Sequence, residues 1–351
     1  AGVGAGQIEP GDRGALGGEA GADGGADEAG GARHGRGRAG EVHAPTYTAP
    51  ALRVPSKAIR TAAWAVIAAG VAAPLLRRRV RLKPPVVAAA AWSAPFALCV
   101  ATRRSRTRDI GTLLLQMWAY VAMYEMPNDD PEALQARVRV AYPVNIDRAI
   151  GLGIPPSLRL QRRLARPGRI TPADQALIWT HWAWFLIPHG TVAYHLWRHR
   201  DRFPRAAVLT YAVFDLGVLV YWILPTAPPW YAAREGVLED ARAPELRRMM
   251  IEHGEVFWRG NWDRLYGLLG GNPLAAMPSL HFATSVMAAH LLTELGPLEG
   301  AIGWTYASTL GVALVGLGEH YVADLLAGLA LTEGVRALAP RAAPAVAAIS
   351  R

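Results

Sequence analysis

An all-α polytopic membrane helix bundle is the fold class this sequence predicts, and three observations predict it. Hydrophobic residues make up 52% of the chain while charged residues fall to 19%. Mean hydropathy is positive. The apolar residues are gathered into runs of about 17 to 25, the length a hydrocarbon core about 30 Å thick demands of a helix.

Taken in order, residues 1–57 are rich in Gly, Ala, Asp, Glu and Arg, with hardly a large apolar side chain. Such a segment buries too little surface to offset its ordering entropy, so a disordered tail is expected. It lacks the basic start and apolar stretch of a signal peptide. Eight apolar segments follow, at 59–76, 85–102, 110–126, 174–197, 205–224, 278–295, 300–318 and 320–338. Pro204, Pro225, Pro278 and Pro297 punctuate their ends, where proline is tolerated because a helix has stopped or just begun. The first two segments, within 58–109, read as an apolar hairpin or two spans. Residues 339–351 read as a C-terminal tail. Two long connections, 127–173 and 225–277, hold short amphipathic pieces such as Ile154 to Leu164.

The net charge of +9 rests almost wholly on arginine, since lysine occurs only at Lys57 and Lys83. These arginines cluster between apolar runs, as in the cytoplasmic loops of membrane proteins, which argues against nucleic acid as a partner. Arg103, Arg104, Arg106 and Arg108 form one cluster; Arg198, Arg200, Arg202 and Arg205 form another. If both are cytoplasmic, the long connections face the opposite side. Acidic residues Glu235, Glu239, Asp240, Glu245, Glu252, Glu255 and Asp263 in the second connection agree with that orientation; the Arg77–Lys83 cluster and the arginine-rich first connection oppose it. The single Cys99 lies inside an apolar run, leaving no disulfide framework and no cysteine metal site.

Two strings carry chemistry: Met277-Pro278-Ser279-Leu280-His281 and Glu319-His320-Tyr321-Val322-Ala323-Asp324. Each lies where an apolar run begins or ends, at a membrane–water boundary. Residues four apart on a helix face the same way, so Asp324 can fix one ring nitrogen of His320 and leave the other as a nucleophile. The bland alternative is a boundary histidine satisfied by a nearby acid. His281 falls in the first turn of the sixth span, where unpaired N–H groups favour phosphate. It can protonate an oxygen leaving phosphorus, and Ser279 can add a donor. Elsewhere, His181 and His189 in the fourth span and Asp215 in the fifth lie in apolar surroundings, where ionisable groups are costly and often functional. The favoured reading makes His181 and Asp215 a buried interhelical pair, and the Trp-rich fourth span (Trp179, Trp182, Trp184) packing or an aromatic belt. No metal site and no cofactor are expected, because no histidine pair has convincing ligand spacing with a third group.

These paired strings resemble the signature of the type 2 phosphatidic acid phosphatase superfamily. Leu280 stands where lipid phosphatases usually carry Gly, and Pro225-Thr226-Ala227-Pro228-Pro229-Trp230 resembles the inositol phosphorylceramide synthase branch. The resemblance covers 110–338 and implies a six-helix catalytic membrane domain, with the first two apolar segments as additions. It implies His320 as nucleophile, Asp324 as its orienting carboxylate, His281 as acid and base, and Ser279 as phosphate ligand. The arginine expected six residues before the nucleophile is Leu314 here. The phosphate's counter-charge is therefore sought in Arg259 and Arg264, then in Arg247, Arg248 and Arg148.

The expected function is a metal-independent phosphotransferase or phosphatase acting on lipid-linked phosphate esters through a phospho-histidine. The branch resemblance implies transfer, of phosphoinositol to a lipid or glycan hydroxyl, with simple lipid phosphate hydrolysis as the alternative. Its expected partners are a phospholipid or polyprenyl-type lipid phosphate, an acceptor alcohol or water, and membrane lipids. The expected location is a bacterial plasma membrane, with the active site on the extracytoplasmic side. A rival of another class is a transporter or lipid-binding scaffold, which tends to show broken helices or internal repeats; no repeat is found.

Overall fold

A computed structural model describes residues 56–166, 168–238, 246–269 and 271–350. Most of the expected tail, and Glu239, Asp240 and Glu245, lie outside the described residues. Among the described residues the secondary structure is helical, with isolated backbone bridges and no strand.

The chain opens with α1 (Lys57–Leu76) and α2 (Pro84–Ala101), packed together as a hairpin. Ser56 starts α1 by accepting from Ile59 N, and Ser105 starts α3 (Arg106–Glu125) by accepting from Arg108 N. The first connection then folds into a short 3-10 turn at Met126–Asp129, α4 (Pro131–Gln135), α5 (Ala141–Ile150) and α6 (Pro156–Leu164). Arg77 and Arg78 both donate to Asp129, each at 2.7 Å through Nε. Burial alone would raise the Asp129 carboxyl, and these two guanidiniums outweigh it and hold it below its usual range. Two arginines of the cluster that breaks the charge pattern are thus paired locally, at the Tyr124 end of α3.

The fourth apolar segment is a broken span, α7 (Pro172–Ala183) followed by α8 (Ile187–Arg198). Pro188 explains the break: it has no N–H, and its ring displaces the carbonyl four residues back, at Trp184. A capping box between Thr171 and Asp174 fixes the start of α7. Next come α9 (Phe203–Ile223), α10 (Pro229–Arg234), α11 (Met249–Trp258), a 3-10 turn at Arg259–Asn261 and α12 (Trp262–Leu269). Helices α13 (Leu280–Thr293), α14 (Pro297–Gly316) and α15 (Val322–Ser350) complete the order. Helix α15 continues past residue 338 through Pro340 and Pro344, so helix replaces the tail expected over 339–350.

Among the described residues, only α1, α2 and α9 are both long and apolar enough to cross a membrane by themselves. At 14 residues α13 reaches about 21 Å, α7 and α8 are interrupted, and α14 is diluted by Gly, Ser and Thr. The helices nearest the chemistry trade apolar length for polar content. Lipid tails are as apolar as leucine, so burial gives little drive for helices to associate there; packing and interhelical hydrogen bonds must hold them. Val213 and Phe214 of α9, Ala283 and Met287 of α13, and Leu310 and Leu314 of α14 are completely buried in one core.

Candidate active site

The two strings meet because α15 passes unusually close to the start of α13. A Cβ on Gly328 would lie 2.7 Å from the Ser279 carbonyl oxygen, so only glycine permits this approach. Thr332 Oγ1 donates to the Ala283 carbonyl at 2.9 Å, and Ser279 N donates to the Asp324 carbonyl at 3.0 Å. From α9, Tyr221 OH donates to the Pro278 carbonyl at 2.7 Å. The Pro225–Trp230 string is held beside them. Thr226 N donates to Leu274 O and Ala276 N to Thr226 O, while Arg139 and Ala227 bond from the other flank.

His320 precedes α15 and does not lie within it. Gly318, at φ +75°, turns the chain out of α14, and Glu319 N and His320 N both donate to the Leu314 carbonyl. Asp324, in the first turn of α15, accepts from Tyr321 N at 2.9 Å and from His320 Nδ1 at 3.1 Å. The expected His320–Asp324 contact thus exists, through helix-start geometry instead of two stacked positions on one helix. With Nδ1–H donated to Asp324, the lone pair of His320 sits on Nε2. His281 Nδ1 lies 3.4 Å from that nitrogen. The two imidazoles and the carboxylate therefore form one chain of contacts, drawn from two separate stretches of sequence.

Both histidines open into a cavity of about 400 Å³. Its walls are chiefly aromatic, with Trp179, Trp182, Trp230, Trp258 and Trp262 around them and Glu319 beside His320. The tryptophans expected as packing or belt thus divide: Trp179 and Trp182 line the cavity. Trp184 packs 4.1 Å from His281 between ring centres and donates to Thr284 Oγ1 at 2.9 Å.

His181 was expected to pair with Asp215, and the structure separates them. The Asp215 carboxylate takes hydrogen bonds from Gln116 at 2.8 and 2.9 Å and from Trp92 at 3.2 Å. His181 instead stacks on His281 with ring centres 5.0 Å apart and lines the cavity. Its Nδ1 is buried without a hydrogen-bond partner.

The remaining candidates fall in different places. Ser279 is completely buried and accepts from Phe282 N at 3.3 Å, so it caps α13. Arg247 is tied to Glu252 and to the carbonyls of Arg166 and Arg169. Arg148 Nη2 donates to Val237 O at 3.1 Å. Arg259 and Arg264 are exposed and do not line the cavity. Arg248 lies 4.0 Å over the Trp230 ring, against the cavity wall. Burial raises the Glu319 carboxyl, while Arg248 and His320 draw it back down.

One residue that sequence reasoning passed over holds the site from below. Asp147 of α5 is completely buried, and its carboxylate accepts from Val322 N at 3.1 Å and Ala323 N at 3.0 Å. It thereby satisfies the first N–H groups of α15 from 175 residues away. Burial lifts its carboxyl to about 6, Asp324 adds to the rise, and the two N–H groups oppose it. Between the ordinary value and about 6, the folded protein holds a proton that the unfolded chain has released. This group's stabilising contribution is therefore greatest at acid pH and declines as pH rises through that window. Asp147→Asn, which cannot titrate, is expected to flatten this part of the stability profile. Thermal unfolding from about pH 4 to about pH 7 checks it; an unchanged slope contradicts the assignment.

Residues 144–338, more than half of the chain, match the family model of the PAP2 superfamily, and the chain belongs to that superfamily. It is an integral membrane protein. Over 139 residues it is 29% identical to a phosphoinositol dihydroceramide synthase of Bacteroides thetaiotaomicron, covering 38% of this chain and 44% of the relative. Over 125 residues it is 33% identical to an inositol phosphorylceramide synthase of Candida albicans, covering 33% of this chain and 25% of the relative. The chain thus matches less than half the length of either relative. No solved structure matches it.

Proposed function

We propose that the protein transfers a phosphoryl-linked headgroup from a lipid to an acceptor hydroxyl through a phospho-histidine on His320. The observation that carries this reading is the 3.4 Å approach of His320 Nε2 and His281 Nδ1 at one cavity, with Asp324 on the far side of the nucleophile. His320 Nε2 attacks phosphorus, and the bond to the lipid oxygen breaks. A leaving oxygen on phosphorus in front of Nε2 lies within reach of the proton on His281 Nδ1, which neutralises the departing alkoxide. The Asp324 carboxylate stabilises the cation formed on His320. In the second half, His281 removes the proton of the acceptor alcohol, the new oxygen bonds to phosphorus, and the phosphorus–nitrogen bond breaks. Water in place of the alcohol gives hydrolysis.

The names of the two relatives favour phosphoinositol as the transferred group and a lipid hydroxyl as acceptor. Arg248 is the cation best placed to approach the phosphate, because Trp230 carries it beside the cavity. The Arg103–Arg108 and Arg198–Arg205 clusters lie at the opposite end of the bundle from the histidines, which favours an extracytoplasmic site. Incubating the purified protein with headgroup-labelled phosphoinositides and lipid phosphates, with and without a ceramide acceptor, tests the reading. Headgroup transferred to the acceptor supports it, free phosphate alone shifts it to hydrolysis, and no reaction removes it. Turnover is expected to persist in excess chelator; its loss there contradicts the metal-free chemistry.

A further inference from the structure

A second cavity, of about 280 Å³, lies between α2, α3 and α9. Along its wall are Phe96, Leu113, Val208 and Ala212. Phe96 and Val208 are 56% and 40% exposed, so the wall opens sideways toward the bilayer. Tyr124 of α3 lines the catalytic cavity, whereas Asp109, 15 residues earlier on the same helix, lines this one. At about 1.5 Å per residue, Asp109 and Tyr124 lie some 22 Å apart along α3, so the basic end of this cavity is at the opposite end of the helix from the histidines.

Charge distinguishes this cavity from an ordinary apolar groove. At its mouth Arg104, Arg108 and Arg200 all approach the single carboxylate of Asp109, at 3.9, 3.8 and 3.8 Å. None of these contacts is short enough to be a hydrogen bond. Asp109 Oδ2 is buried and has no hydrogen-bond partner. Arg104 and Arg200 are part-exposed and share this one carboxylate with Arg108, so this end of the cavity is basic where apolar wall meets the membrane surface. Asp215, held by Gln116 and Trp92, lies deeper along it. Basic groups at that depth attract anionic headgroups, and the adjoining wall accepts hydrocarbon.

We propose that this cavity binds an anionic membrane lipid. Its phosphate accepts from Arg104 and Arg200, and one acyl chain lies along Phe96, Leu113 and Val208. The lipid belongs to the leaflet opposite the catalytic histidines, so the site is independent of the reaction proposed above. A free phosphate would use the charges and leave the apolar wall bare.

Native mass spectrometry of the full chain in detergent, with added phosphatidylglycerol or phosphatidylcholine, tests this. Phosphatidylglycerol is expected to be retained in preference to phosphatidylcholine. Arg104→Ala combined with Arg200→Ala is expected to weaken that retention roughly tenfold or more. Val208→Trp, which fills the apolar wall and keeps both arginines, is expected to weaken it as well. His320→Ala is expected to leave it unchanged, whatever becomes of catalysis. Equal retention of the two lipids, indifference to either cavity change, or displacement of the lipid by inorganic phosphate overturns the proposal.

Discussion

His320→Ala is expected to lower turnover on a lipid phosphate ester by about 10⁴-fold or more, the scale on which covalent catalysis fails when its nucleophile is removed. The fold is expected to survive. His320 borders an existing cavity, so truncation enlarges a space already present and leaves no sealed void. The helix start at Asp324 keeps its bond from Tyr321 N and loses only the imidazole. A sharper readout is the intermediate itself. Wild-type protein quenched during turnover of phosphorus-labelled donor should carry label that is stable in alkali and lost in acid, the behaviour of a phosphorus–nitrogen bond. The variant should carry none. Retained turnover in His320→Ala, or label that survives acid, removes the phospho-histidine mechanism.

Much of this site was legible because short-range patterns mark it. Pro278 and Ser279 before an apolar run identify a helix start, and His320 with Asp324 identifies an oriented imidazole. What could not be read was anything that depends on how distant segments return. Asp147 sits in an arginine-rich connection and accepts its hydrogen bonds from backbone N–H groups of α15, which leave no side-chain pattern. His181 and Asp215 looked like a pair because two ionisable groups in adjacent apolar segments need partners; Gln116 and Trp92 satisfied Asp215 instead, leaving His181 to the cavity. The arginines illustrate the same limit. Arg259 and Arg264 have aromatic neighbours in sequence, yet of these candidates it is Arg248 that is seated on Trp230 of the cavity wall. Segment lengths were equally ambiguous, since Pro188 divides an apolar run that hydropathy treats as continuous. The helical class itself was secure, because backbone polar groups in lipid must bond within their own segment.

His281→Ala is expected to show a different defect, and the difference depends on the leaving group. On a donor with an alkyl leaving oxygen, losing the general acid should reduce turnover by about 10²- to 10⁴-fold. A nitrophenyl leaving group departs without a proton, so the first step on such a donor should be nearly intact. Its second step still lacks the base that deprotonates the acceptor. The variant should therefore release a burst of about one nitrophenolate per site and then stall with label on His320, as expected when breakdown of a covalent intermediate limits turnover. Rapid-quench measurement on the two donors separates this from a packing role. His281 also contacts Trp184 and stacks on His181, and a purely structural loss would slow both donors equally with no burst. An equal loss on both would leave His281 as a wall of the cavity and assign its proton to another group.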